Sequence, residues 1–301
     1  RSDEQAQEAP EFDPAAVVDL PDRPDGAASS QFWEHWGDGR AELAGYTGEI
    51  SRYGELREAN LVLVYVTEPH DRRTWIKDDD VAETHRVNVL KLNRVLKFQT
   101  GIYPYSVMTS TFAPVADWGR RRFQPAKITL TAQEWCGHVF HGIWPGPDEY
   151  LTQIRSYFAS EGDTRRRVET HEGTLYQDAL PIQLRELDGA FNGGEDWSGR
   201  LVPSLWQTRK RHAELEPVEA TIERRDTELD ATPVTRFRLE YADQTVTYDI
   251  EKAAPHKLLR WTHSDGSHLR LQKATRLPYW RLNRPGDESY REEIGLEPAI
   301  R

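Results

Sequence analysis

The chain has 301 residues, a hydrophobic fraction of 37% and a formal net charge of −11. That charge argues against a phosphate backbone as partner, so no nucleic acid is expected, because such affinity comes from clustered Lys and Arg. The longest apolar run, Leu61 to Val66, is far below the ~20 residues of a membrane-crossing helix, and a single cysteine excludes an intramolecular disulfide.

Ten Trp, twelve Tyr and nine Phe compensate for the low apolar fraction, since each aromatic ring buries roughly 150 to 250 Å². Residues 1–30 hold eight acidic residues against two arginines, with four prolines. Such a segment buries too little apolar surface to offset its ordering entropy, so it is expected to be a disordered acidic leader or a lipoprotein tether. With no initiator Met at Arg1, the chain reads as processed, and a lipid anchor upstream of residue 1 is expected. Order is expected from Ser30 to Trp36, a helical turn with Ser30 as cap and Phe32, Trp33 and Trp36 as apolar anchors.

Two strand-like stretches then meet at Gly54 and predict a β-hairpin. HRVNVLKLNRVLKFQTG alternates and favours a strand. GIYPYSVMTSTFAPV is β-branched and aromatic, and Pro104 suggests an edge strand or a bulge. Lys127 to Gly142 reads as one long strand whose second face carries Ile128, Leu130, Ala132, Glu134, Cys136, His138 and Phe140. PDEYLTQIRSYFAS places Tyr150, Leu151, Ile154, Tyr157 and Phe158 at helical spacing, and a second helical stretch spans Leu175 to Leu187 around Pro181.

From Val218 onward five strands of 8 to 12 residues return, with a hairpin signal at Ser264-Asp265-Gly266. Both halves are therefore runs of consecutive hairpins. The fold class expected is mainly β: a large curved antiparallel sheet or open half-barrel with one or two helices packed against it. Residues 31–301 form one β-rich domain with a helical insertion near 147–188.

Three constellations are candidates for function. Cys136 and His138, alternate residues of a strand about 6.6 to 6.8 Å apart, are placed to share a metal ion with His141, or to act as thiolate and base with Glu134 alongside. A packed, hydrogen-bonded strand is the plainer reading. Tyr103, Tyr105, Thr109 and Ser110 near the expected bulge, with Trp135, are candidates for a ligand pocket, against simple cross-strand packing. His35 and Asp38 in WEHWGDGR form the third, most simply a helix end and turn. The GxSxG, GxxxxGK[ST], GxGxxG, HExxH and CxxC signatures are missing, so no cofactor is expected.

FWEHWGDGRAELAGY, RYGELR, TGIYPYSVMTSTF, QEWCGHVF and SYFASEGD together resemble a group of uncharacterised secreted or lipid-anchored bacterial proteins that carry the label septum formation inhibitor Maf. The chain lacks the N-terminal substrate loop of the Maf nucleotide pyrophosphatases, which are α/β proteins, so the resemblance implies an envelope location and no activity. HKLLRWTHSDGSHLRL and its paired strands more distantly resemble periplasmic half-barrel proteins of the lipoprotein-carrier kind, which hold acyl chains in a concave sheet. The expected function is that of a noncatalytic cell-envelope protein binding a lipid, another apolar or amphipathic ligand, or an envelope protein. The alternative is a metal- or cysteine-dependent enzyme centred on Cys136 and His138.

Overall fold

The computed structural model describes residues 12–298. Two short helices open it, α1 (Pro14–Val18) and α2 (Ser30–Trp36). The first half of the sheet follows: β1 (Ala41–Arg52), β2 (Glu55–Asp71), β3 (Ile76–Lys77), β4 (Arg86–Thr100), β5 (Tyr103–Pro114), β6 (Lys127–Glu134), β7 (Gly137–Pro145), β8 (Glu149–Ser156) and β9 (Asp163–Glu169). The short β10 (Leu175–Tyr176), α3 (Leu180–Gln183), β11 (Trp197–Val202) and α4 (Leu205–Arg211) come next. The chain then returns as β12 (Val218–Leu229), β13 (Thr232–Tyr241), β14 (Gln244–Glu251), β15 (Leu258–His263) and β16 (His268–Leu277).

The strands make one sheet in the order β10-β11-β12-β13-β14-β15-β16-β1-β2-β4-β5-β6-β7-β8-β9, with β3 beside β2. It is antiparallel except for the two-residue pairing of β10 with β11, and it does not close on itself. The mainly β, open antiparallel architecture is therefore as expected. The two halves join through β1 and β16, whose register shifts once between Gly45 and Tyr46. Gly45 has a structural duty here, because a Cβ on it would lie 2.0 Å from the Ile294 carbonyl oxygen.

The sheet's inner face is filled by the chain itself. Leu180, Ile182 and Leu184 are fully buried against Tyr65, Leu92, Leu130, Phe237 and Leu239 in one large apolar cluster that spans both halves. Polar contacts fasten this central segment. Asp178 pairs with Arg94 at 3.1 Å and accepts from the Leu205 N–H at 2.8 Å, while Thr111 donates to the Asp178 carbonyl at 2.9 Å. Tyr65 donates its hydroxyl to the Pro181 carbonyl at 3.0 Å. Arg185, wholly buried, makes two bonds to Glu42 at 2.7 and 3.0 Å and donates to the carbonyls of Pro255 and His256. Its guanidinium lies over the rings of Trp36 and Tyr65, so it is desolvated yet fully partnered.

On the outer face two smaller clusters are capped by the tails. Val17 and Val18 of α1 cover Trp75, Val87, Val89, Trp144 and Leu151. The segment ending in Ile294 and Leu296 covers Leu43, Val64 and Val66.

Several local expectations are corrected. Lys127 to Gly142 is a hairpin, not one strand: Glu134 pairs with Gly137 and the turn is Trp135-Cys136. Residues 149–156 form strand β8 instead of a helix. Tyr150 packs into the inner core while Leu151 packs beneath α1, so both faces are buried and the two-residue alternation is masked. Of the insertion expected near 147–188, only 177–183 is helical, with Pro181 in the first turn of α3 where its missing N–H costs nothing.

Part of the expected leader is folded. From residue 12 the chain lies on the sheet, with Asp13 capping α1 and Val17 and Val18 buried; residues 1–11 lie outside the described residues. Ser29, not Ser30, caps α2 by accepting from the Phe32 N–H at 3.1 Å. Pro104 sits inside the sheet, not on its edge. It pairs with Gln99, but β5 meets β6 only from Ser106 onward, so the flank where Pro104 lacks a donor has no neighbouring strand.

Candidate functional site

The turn between β6 and β7 carries Trp135 and Cys136, both exposed. The Glu134 carboxylate folds back to accept from the Cys136 N–H at 2.6 Å. Its hydrogen bond and charge beside the thiol raise the thiol pKa, which disfavours the thiolate that nucleophilic or metal chemistry needs. The thiol thus sits in water at a hairpin tip, not among the inward-facing side chains expected from a continuous strand.

His138 and His141 are three residues apart on β7 and so project from opposite faces. His138 is exposed on the outside, whereas His141 is buried on the inside with Nε2 2.8 Å from the Thr152 hydroxyl. The structure does not bring Cys136, His138 and His141 together. Among the described residues no three His, Cys, Asp or Glu side chains group as metal ligands would.

The hydroxyl constellation separates as well. Tyr105 is buried, stacked on Phe98 with ring centroids 4.7 Å apart, and its hydroxyl lies 2.7 Å from that of Tyr53 and accepts from Arg52. Thr109 is buried beside an interior void of about 30 Å³, room for about one water. Ser110 is buried too. Tyr103 bridges Tyr105 and Trp135 at centroid distances of 5.9 and 6.3 Å. His35 and Asp38 belong to the setting of the buried ion pair: His35 lies 3.6 Å from Glu42, and Asp38 pairs with Arg276.

The concave face therefore offers no trough for a long acyl chain beside Tyr105 and Thr109, because residues 177–211 occupy it. One partly enclosed space lies nearer the free edge of the sheet. A pocket of about 170 Å³ opens between the inner ends of β7, β8 and β9 and the stretch 208–215 that follows from α4. Val139, Ile154 and Leu215 give it apolar walls, and His141, Thr152, Glu161, Arg166, Arg209 and His212 supply polar groups.

These polar groups are held in place by one another. The Glu161 carboxylate receives Arg209 at 2.6 Å, His212 Nδ1 at 2.8 Å and the Ser156 hydroxyl at 2.6 Å. Arg209 also lies over the Phe158 ring, 5.0 Å from its centroid. Arg166 pairs with Glu214 and Glu216, so each charge lining the pocket already has a partner, and a ligand would meet a preorganised surface of low net charge.

Burial pushes the His141 imidazole down to about 4, against the nearby Glu161, so the ring is neutral near pH 7. Because the folded value lies below the ordinary 6.5, its contribution to stability is complete above pH 6.5 and is lost as pH falls through 4. The expected result is a stability loss on the order of 3 kcal/mol from this group across that window. Urea titrations at pH 7 and pH 4.5 check it: His141→Gln should flatten the slope, and an unchanged slope overturns the assignment.

Arg165 to Arg167 form a basic run that composition alone places on a solvated or salt-bridged surface. Strand alternation carries the missing signal, since Arg166 points opposite to its two neighbours on β9. Glu161, Arg209 and His212 come from a turn and a helix end, and no local pattern links them.

Across the outer face, two open grooves of about 1020 and 540 Å³ meet at Ser106 and Gln133, reached by Trp135 from one side and Tyr157 from the other. No protein-family model matches the chain, and no curated protein or solved structure matches it either.

Proposed function

We propose that this chain is a noncatalytic binding protein of the bacterial cell envelope whose pocket beside β9 takes the end of a small amphipathic molecule. The observation that carries this reading is the pairing of apolar walls with fixed polar groups in one partly enclosed pocket of about 170 Å³. Apolar cavities of about 150 Å³ accept a molecule the size of benzene, so the pocket suits a short alkyl segment with a polar head. A neutral polar head would hydrogen-bond among the paired side chains of Glu161, Arg166 and Arg209, while the tail would lie along Val139, Ile154 and Leu215. The envelope assignment rests on the resemblance of the FWEHWGDGR, YPYSVMTSTF and QEWCGHVF blocks.

Thermal unfolding with hexanamide tests the pocket. At a concentration 100 times the dissociation constant, binding stabilises by about 2.7 kcal/mol, which for a chain of this size raises Tm by roughly 5 °C. Ile154→Trp, which fills the space, should abolish the rise. No rise in the native protein, or an equal rise in the filled variant, overturns the reading.

A further inference from the structure

In an antiparallel sheet every second connection lies at the same end. The turns joining β1 to β2, β4 to β5, β6 to β7 and β8 to β9 therefore form one row. At or beside these four turns stand Tyr53, Leu56, Ile102, Trp135 and Tyr157, five of the nine large apolar side chains that are most exposed among the described residues. Ile102 is 79% exposed and Trp135 68%.

The turns themselves do not require these residues. Between β4 and β5 the backbone needs only Gly101, at φ 55°, and a solvated turn ordinarily carries Asn, Asp or Ser beside such a glycine, not isoleucine. Nor is Tyr157 a loose side chain. A Cβ on Gly137 would lie 2.7 Å from Tyr157 Cγ, so the ring rests on bare backbone with its other side in water. Trp135 is likewise in contact range of Tyr103.

With strands about 4.8 Å apart, successive tips are spaced by roughly 10 Å and the row spans about 30 Å. Energetic hot spots for a protein partner gather in a central desolvated pocket, whereas this row is long and mixes Trp and Tyr with Ile and Leu. That is the composition found at the headgroup level of a bilayer, where the rings keep one end apolar and one end wet. Most charges at this end are paired, Glu55 with Arg57, Arg155 with Asp163, Lys210 with Asp265 and Arg211 with Asp243, while the Glu134 carboxylate beside Trp135 accepts from the Cys136 N–H. In a chain of net charge −11, this end is complementary to an uncharged surface, because its basic run, Arg209 to Arg211, is already paired with Glu161, Asp265 and Asp243 and is not free to draw it to anionic lipid.

We propose that this end of the sheet docks on the interface of a zwitterionic phospholipid bilayer, with Ile102, Trp135 and Tyr157 entering the headgroup layer. Tyr157 shares the β8–β9 turn with Glu161, but none of the row's five side chains lines the pocket, so the test of the row does not depend on hexanamide binding.

Flotation of the full chain with phosphatidylcholine vesicles provides that test. The native chain should float with the vesicles, and phosphatidylglycerol should not improve its partition. The triple variant Ile102→Ser, Trp135→Ser and Tyr157→Ser should partition at least roughly tenfold less. Its urea midpoint should fall only slightly, because all three side chains are mostly exposed and touch the fold at Gly137 and Tyr103. The proposal is overturned if the native chain stays in solution, or if the triple variant floats equally well. Binding confined to phosphatidylglycerol and abolished by salt also overturns it, as does capture of a protein partner by the row without vesicle binding.

Discussion

Replacing Arg185 with methionine is expected to lower the unfolding free energy by about 3 to 5 kcal/mol, because it strands the Glu42 carboxylate in an interior that no longer compensates it. Arg185 is wholly buried, and its contacts tie the central segment to β1 through Glu42 and to the β14–β15 connection through Pro255 and His256. The loss should appear as a lower urea midpoint with an unchanged slope. A double variant, Arg185→Met with Glu42→Leu, should recover much of it, since an apolar pair of similar volume replaces a buried ion pair at little net cost. A single-variant cost below about 1 kcal/mol would show that the pair does not hold the two halves together.

The same pair sets an acid limit. Burial works to raise the Glu42 carboxyl, but the Arg185 guanidinium and His35 outweigh it and hold the pKa at about 2, below the ordinary 4.5. A carboxyl depressed in the folded state stabilises above its unfolded value, and that stability is lost as pH falls from 4.5 through 2. His141 weakens the fold from pH 6.5 down to 4, so the two groups act in succession on acidification.

Asp178→Ala is the second large effect, again about 3 to 5 kcal/mol. Its carboxylate bridges Arg94 of β4 and the first N–H of α4, so its loss leaves a half-buried guanidinium and a buried amide without partners together. Burial pushes the Asp178 carboxyl up, while Arg94 and the Leu205 N–H pull it down. Because burial already disfavours the charge, Asp178→Asn, which keeps an acceptor for Leu205, should cost roughly half as much as the alanine variant. Equal losses in the two variants would mean that the charge, not the hydrogen bond, fastens the segment. Urea unfolding at pH 7 distinguishes these outcomes.

Where a strand has one face in water, its alternation was legible. The five strands from Val218 to Leu277 and the Gly54 hairpin fall where the two-residue period and the turn glycines place them. Where both faces are covered, the period vanishes. β8 read as a helix because Leu151 is buried under α1 while Tyr150 is buried inside, and α1 is far away in the chain. The break at Trp135-Cys136 was marked only by Gly137, a signal too slight to outweigh the run of strand formers around it.

Side-chain alternation and turn chemistry are local properties of a few residues, and they suffice to make this a β-rich chain of consecutive hairpins. Tertiary structure alone decided that the concave face is filled by residues 177–211. It also set Cys136 in solvent and assembled Glu161, Arg166, Arg209 and His212 around one pocket. Those outcomes depend on which strands become neighbours and on what the chain packs against them, and contacts between residues far apart in sequence leave no periodic trace.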